Sequence, residues 1–335
     1  MGKTTFIRLL LTFFLTTASI TQAQQAKSIP RIGYLSRDLH PSDSRADAPL
    51  NIEAFRQGLL ELGYIEGQNI IIEYRYAEGR FERLPALAEE LIRLKVDIIV
   101  ADVAVVARAA KQLTTTIPIV MANGADPTET GLAASLARPG GNVTGLTNMS
   151  AELLGKRLEL LKEVVPKVSH FAFLNDDESV ASKSMFNDAQ RAAQVLGVKL
   201  QLVEVKAQTL DFDAAFRVMV KERIGALITS PSARLSLTLP RKRILELVAQ
   251  ARMPAIHPTV SWIDAGGLIY YGANTPDLFR RAATYVDKIL KGRKPADLPI
   301  ERPMKFDFVI SLKAAKQIGV TIPPNVLVRA TKVIR

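Results

Sequence analysis

Residues 126–147 read DPTETGLAASLARPGGNVTGLT, and this stretch decides the fold. Asp126-Pro127 makes a turn at a strand end, and Leu132 and Leu136, four apart, predict a short amphipathic helix. Pro139 cannot continue that helix, and Gly140-Gly141 supply the positive φ that reverses the chain. A new strand starts at Val143-Thr144-Gly145-Leu146. Strand, helix, break, strand is the punctuation of an α/β chain.

The same alternation continues in both directions. Before the glycine pair, strands are expected at 31–35, 69–74, 97–101 and 117–121, with helices at 50–62, 83–94 and 103–113. After it come helices 152–164, 179–196, 212–222 and 240–251 and strands 170–174, 199–204, 226–229 and 255–257. Such regularity argues parallel sheets covered by helices on both faces, a doubly wound arrangement. Removing a 23-residue leader leaves 335 − 23 = 312 residues, too many for one such sheet, so two lobes are expected. Chain crossings are placed near Leu146, at 268–271 before a long helix 276–290, and at 306–310. The N-terminal lobe is then 28–146 with about 273–308, and the C-terminal lobe 147–272 with about 309–335. Several crossings make a hinge rather than a tether, and a hinge permits closure around a ligand.

The first 23 residues read as a signal peptide. Lys3 and Arg8 form its basic end, residues 9–20 its apolar run, and Thr21-Gln22-Ala23 its cleavage site. The chain has no cysteine, which excludes a lipid anchor, a disulfide, a thiol nucleophile and a zinc–thiolate site. The expectation is a soluble periplasmic protein that is not a lipoprotein and is not inserted in the membrane after cleavage. Losing Lys3 and Arg8 lowers the net charge to 11 − 2 = +9. The basic residues are scattered without interleaved aromatics, so they read as a solvated surface and not as a nucleic-acid site.

Catalytic constellations are missing from the pattern. His40, His170 and His257 are the only histidines, no G-x-S-x-G elbow occurs, and Asp176-Asp177-Glu178 lacks metal-ligand spacing and reads as helix capping. Neither enzyme chemistry nor a cofactor nor a metal is expected. Binding groups are sought instead at strand carboxyl ends and helix N-termini, where free backbone N–H groups and the helix dipole suit a carboxylate. These places hold Ser36, Asp102, Asn123 and Asp126 in the first half, Asn175, Ser230 and Ser232 in the second, and Tyr271 at a crossing. Asp126 is either the partner of a ligand ammonium or the anchor of an Asp-Pro turn. Ser230 and Ser232 are either carboxylate donors or a helix cap. Tyr34, Tyr271 and Trp262 offer aromatic surface, Trp262 reading rather as hinge packing. The polar loop 41–49 is a candidate lip of the cleft.

Taken whole, DP…GL…SLARPGGNVTG resembles a segment typical of one family of ABC-transporter substrate-binding proteins, extracytoplasmic receptors of the type I periplasmic fold. Some members bind tryptophan or tyrosine. Phe55-Arg56-Gln57-Gly58-Leu59 with Leu62-Gly63-Tyr64, Ile72-Glu73-Tyr74-Arg75, Gly266-Gly267-Leu268-Ile269 and Lys294-Pro295-Ala296-Asp297-Leu298-Pro299 resemble further blocks of that family in the same order. The resemblance implies a two-lobe type I periplasmic-binding-protein fold and a monomer that captures a small solute for an ABC permease. The implied solute is an amino acid or a related small zwitterion. The alternative is a sensory protein of the same fold presenting its ligand to a membrane receptor. Asp102-Val103 departs from the Gly-Thr or Gly-Ser common in the family, and Met304 and Ser311 depart from its Thr and Asn. An acid at 102 either draws a cationic or ammonium-bearing ligand or caps the following helix.

The leader is tested directly: N-terminal sequencing of periplasmic protein is expected to begin Gln24-Gln25, whereas membrane-associated protein starting at Met1 would refute cleavage.

Overall fold

The computed structural model describes residues 29–40, 50–150 and 152–335. The expected signal peptide and the 41–49 loop lie outside the described residues. Strands β1 (Arg31–Ser36), β3 (Ile98–Val103), β4 (Ile119–Gly124) and β5 (Val143–Thr147) are buried almost throughout, as parallel strands covered on both faces must be. With β2 (Ile71–Tyr76) they form an all-parallel sheet in the order β2-β1-β3-β4-β5. Helix α1 (Leu50–Glu61) covers one face, and α2 (Leu84–Arg93) and α3 (Ala104–Leu113) cover the other. Leu84, Leu87, Ala88 and Leu91 of α2 fall on one helical stripe and are buried together with Val106, Ala107 and Ala110 of α3.

The second sheet repeats the plan. Strands β6 (His170–Asp176), β7 (Lys199–Val205), β8 (Ala226–Thr229), β9 (Ala255–His257) and β10 (Ile269–Ala273) are parallel and lie in the order β7-β6-β8-β9-β10. Helices α4 (Glu152–Val164) and α5 (Val180–Val195) pack on one face. On the other lie α6 (Phe212–Lys221), α7 (Thr238–Gln250) and the single turn α8 (Ser261–Asp264). After β10 the chain returns to the first sheet as α9 (Thr275–Leu290). Its start is fixed by Asn274, whose side chain accepts from Asp277 N, and by a proline in the first turn. Leu278, Phe279, Ala282, Ala283, Tyr285 and Val286 of α9 join Phe55 and Leu59 of α1 in one core. The two helices meet at Gly58, where a Cβ would stand 2.3 Å from the Arg280 carbonyl oxygen. The chain ends on the second sheet with β11 (Phe306–Ser311), α10 (Leu312–Ile318), α11 (Pro324–Leu327) and β12 (Lys332–Ile334). Among the described residues no helix is long and apolar enough to cross a membrane.

Three readings of the sequence need correction. No helix forms between Asp126 and Pro139, where the chain is a series of turns. Gly131 takes a positive φ of 68°, Ala134 N turns to Pro139 O, and Leu136 O accepts from Ile300 N, so these backbone groups are committed outside a helical ladder. The second sheet is not wholly parallel, since β11 runs antiparallel to β10 from Ile269–Ile310 to Ala273–Phe306. The crossings also shift: β10 and β11 both belong to the second sheet, and the chain passes between sheets at Asn274 and again between Ile300 and Phe306.

The crossing segments are tied to one another. Glu301 N donates to Gly145 O at 3.0 Å, Thr147 N donates to Glu301 O at 3.0 Å, and Asn274 N donates to Lys305 O at 2.9 Å. Gly145 has φ 129°, and a Cβ there would sit 2.1 Å from Met121 O on β4. Gly145→Ala is therefore expected to destabilise the fold by on the order of 3 kcal/mol, through backbone strain and overpacking. Gly67→Ala, at φ 80° with nothing within 4 Å, is expected to cost about 1 kcal/mol. Urea midpoints of the two variants check the contrast, and equal losses would refute the close-approach account.

Candidate ligand-binding cleft

The carboxyl ends of the parallel strands in the two sheets face a common cavity of about 540 Å³. On the first sheet's side it is lined by Tyr34 and Ser36 of β1, Asp38 beyond it, Tyr76 at the end of β2, Glu78 and Arg80 after that, and Asn123 of β4. On the second side it is lined by Ser236, the first turn of α7 from Thr238 to Arg241, and Thr259 and Ser261 after β9. Thr275, at the chain crossing, also lines it.

Acidic groups are distributed unequally over the walls. Both carboxylates among the described lining residues, Asp38 and Glu78, stand on the first side. Each has an arginine neighbour: Arg37 Nε lies 3.5 Å from Asp38, and Arg80 Nη2 lies 2.7 Å from Glu78. The second wall carries Arg241, only 3% exposed, whose Nη1 donates to Ser236 O at 2.9 Å and Ser261 Oγ at 3.1 Å. The N-terminus of α7 adds backbone N–H groups and the positive end of its dipole on that same wall. Both walls thus carry guanidinium groups and a helix start, with Arg37, Arg80 and Asn51 and Ile52 of α1 on the first side; the carboxylates and phenols stand on the first side alone.

Aromatic rings back the first wall. The Tyr34 and Tyr76 centroids lie 6.4 Å apart, and Tyr74 stacks on Tyr76 at 6.4 Å and 11°. Burial, with Asp102 adding, holds the Tyr34 hydroxyl well above the usual phenol range, so it stays protonated. The walls also touch directly. Arg37 Nη1 donates to Ala233 O at 2.9 Å, and the Arg234 guanidinium lies 5.1 Å from the Phe81 ring centre while pairing with Glu178 at 2.6 Å.

Of the residues singled out from the sequence, Ser36 and Asn123 line this cavity. Asp102 lies behind it, 3% exposed, with Oδ2 accepting from Ser36 Oγ at 2.8 Å and Arg37 N at 3.0 Å. It does not cap α3, whose N-cap is Val103 without a side-chain bond. Asp126 lies off the cavity, at a second recess shared with Glu129, Glu152 and Asp188, and takes the amide and hydroxyl of Thr128 at 2.8 and 2.6 Å. The turn-anchoring role is the one its hydrogen bonds serve. Asn175 is buried beneath the second sheet's strand ends, donating to Asp176 O at 2.7 Å. Ser230 and Ser232 are buried in a local network in which Ser232 N donates to Ser230 Oγ at 3.3 Å and Ser232 Oγ donates to Asp176. Tyr271 packs on Phe306 and Phe308, at 6.5 and 6.1 Å, and not into the cleft. Trp262 is fully buried and stacks on His257 at 4.6 Å in the second lobe's core. Burial, and then Arg241 nearby, push His257 down to about 3, so it is neutral.

Sequence reasoning missed Asp38, Tyr76 and Arg241. Tyr76 and Asp38 lie two and three residues past the strand ends expected at 74 and 35. Arg241 hides in a basic triplet, Arg241-Lys242-Arg243, that reads as surface charge. Its place in the first turn of a helix at a strand's carboxyl end was the available signal.

Two facing α/β lobes with a polar cavity between them define a binding protein, and the fold is that of the type I periplasmic binding proteins. The family model described as ABC transporter substrate binding protein matches residues 45–334, and the chain belongs to that family, whose members are extracytoplasmic substrate-binding proteins and not enzymes. A tyrosine-binding protein of Clostridioides difficile (strain R20291) is 25% identical over 287 residues, 85% of this chain and 80% of that one. A conserved domain protein from Vibrio cholerae has a TM-score of 0.80 at 26% identity, covering 91% of this chain and 99% of its own. An ABC domain from Streptococcus pneumoniae in complex with L-Trp has a TM-score of 0.81 at 25% identity, covering 92% and 100%.

Asp102 makes stability depend on pH. Burial, reinforced by Asp38 and opposed by Arg37 and Ser36, pushes its carboxyl up to about 7. A folded-state value above the unfolded one means the contribution is fully present below about pH 4 and is lost as pH rises through about 7. The stability of wild type relative to Asp102→Asn is therefore expected to fall by on the order of 2–4 kcal/mol between pH 4 and 7 and then to level off. Urea titrations at several pH values measure this; a flat difference would contradict it.

Proposed function

We propose that the protein is the periplasmic solute-binding component of an ABC importer, exported by a cleavable signal peptide and acting as a monomer. It captures an amino acid or a related small zwitterion between its lobes and delivers it to the permease. The observation that carries this reading is that carboxylates and phenols line one wall only, opposite the buried Arg241 guanidinium. Arg241, the α7 N-terminus and the Ser261 and Thr259 hydroxyls suit a carboxylate, and the carboxylates opposite suit an ammonium. Tyr34 and Tyr76 offer surface for an apolar or aromatic side chain between these ends. The tyrosine-binding relative and the L-Trp complex support an aromatic amino acid as the first solute to try. A solute held by both walls favours closure, because only a ligand that binds the closed state better shifts the equilibrium toward it.

L-Tyrosine and L-tryptophan are expected to raise the melting temperature of the mature protein and to lower its radius of gyration in solution scattering. Arg241→Met is expected to weaken binding by on the order of 2–5 kcal/mol in calorimetry, while Asp126→Asn leaves it unchanged. Loss of affinity in Asp126→Asn with Arg241→Met intact would reverse the assignment of the cavity. A saturating ligand with no change in radius would reject closure.

A further inference from the structure

Ser36 is a lining residue whose hydroxyl is already committed. Its hydrogen goes to Asp102 Oδ2 at 2.8 Å, and its oxygen accepts from Asp38 N at 3.1 Å. A hydroxyl has one hydrogen and two lone pairs, so one acceptor position remains and no donor. Asp102 is held for this task. It is buried, and the same Oδ2 that takes the Ser36 hydrogen also takes Arg37 N, while Oδ1 has no hydrogen-bond partner among the described residues. The backbone donor fixes which oxygen faces Ser36, and with the carboxyl ionised or carrying its proton on the unpartnered Oδ1 that oxygen accepts.

We infer that Asp102 is a positioning residue that sets the polarity of the cleft, making Ser36 an acceptor that selects a hydrogen-bond donor on the solute, its ammonium group. Asp102 does not touch the solute; it acts through Ser36. This rests on the amino-acid reading above and adds to it which end of the solute faces β1. A donor-only partner, such as an ammonium, completes the Ser36 oxygen. A carboxylate there would meet lone pairs on both sides and lose its hydration without return.

The experiment compares two probes in calorimetry: L-tyrosine and 3-(4-hydroxyphenyl)propanoate, which differ by the ammonium alone. Wild type is expected to prefer L-tyrosine by tenfold or more, in the range of a hydrogen bond to a charged group. Ser36→Ala and Asp102→Ala are each expected to lower that preference about fivefold to tenfold, and the double variant no further, since both remove one interaction. A merely structural role would weaken both probes alike and leave their ratio in place. Asp102→Asn supplies the rescue: its carbonyl oxygen takes the Oδ2 position that faces Arg37 N and Ser36, its amide takes the Oδ1 position, and the preference returns. An equal loss in Asp102→Asn and Asp102→Ala would show that charge acts directly and would overturn the inference, as would an unchanged ratio in Asp102→Ala. Binding of neither probe to wild type would overturn the amino-acid reading and this inference together. Binding of L-tyrosine with the ratio insensitive to Asp102 would overturn the inference alone.

Discussion

The arrangement of the cleft depends on a short backbone ladder in which Glu301 runs beside Gly145 and Thr147. The two hydrogen bonds made there join the end of β5 to the segment that carries the chain back toward β11. Arg281 of α9 pairs with the Glu301 side chain at 2.5 Å and donates to Arg302 O at 3.1 Å, so the returning helix grips the same segment. Three crossings held side by side have the form of a hinge, about which two lobes can rotate. Because every strand before the crossings points its carboxyl end the same way, the polar edge of both sheets is what such a rotation would bring together. A side chain elsewhere on the lobes has no access to the cavity, whatever its chemistry.

That restriction explains which parts of the molecule were legible in the sequence. Strands such as β8 and β9 were readable to the residue, because four- and three-residue apolar runs between breakers leave no alternative. The eight longer helices were readable from their apolar stripes to within two residues at either end, whereas the short α8, α10 and α11 were not anticipated. The segment 128–137 was misread because a Leu pair four apart mimics a helix turn. The tertiary partners that take its backbone groups, Ile300 among them, lie 164 positions from Leu136. Long-range pairing of this kind leaves no local trace.

The site was less legible than the fold for a related reason. Polar residues at strand ends were found, but their depth was not. Ser230, Ser232 and Asn175 occupy the right edge of the second sheet, yet the 230–237 segment folds over them and brings Ser236, Leu237 and the start of α7 to the surface instead. Asp126 stands just past β4, but its carboxylate is occupied by the turn that follows. Strand-end position identifies the neighbourhood of a cleft, and the course of the next loop decides which residue enters it. The resemblance carried by 126–147 was informative about ancestry, although the segment itself builds a hinge wall and not the binding surface.

The strand orders β2-β1-β3-β4-β5 and β7-β6-β8-β9-β10 are the same plan used twice. Two such units facing each other present similar helix starts from opposite sides, α1 from the first and α7 from the second. To the main chain alone, a solute and the same solute turned end for end look nearly alike. Handedness of docking must then be written entirely in side chains, where a single carboxylate or guanidinium breaks the likeness. Substitutions at a few such positions can invert the orientation of a bound molecule, or change its class, while the scaffold that closes around it stays the same.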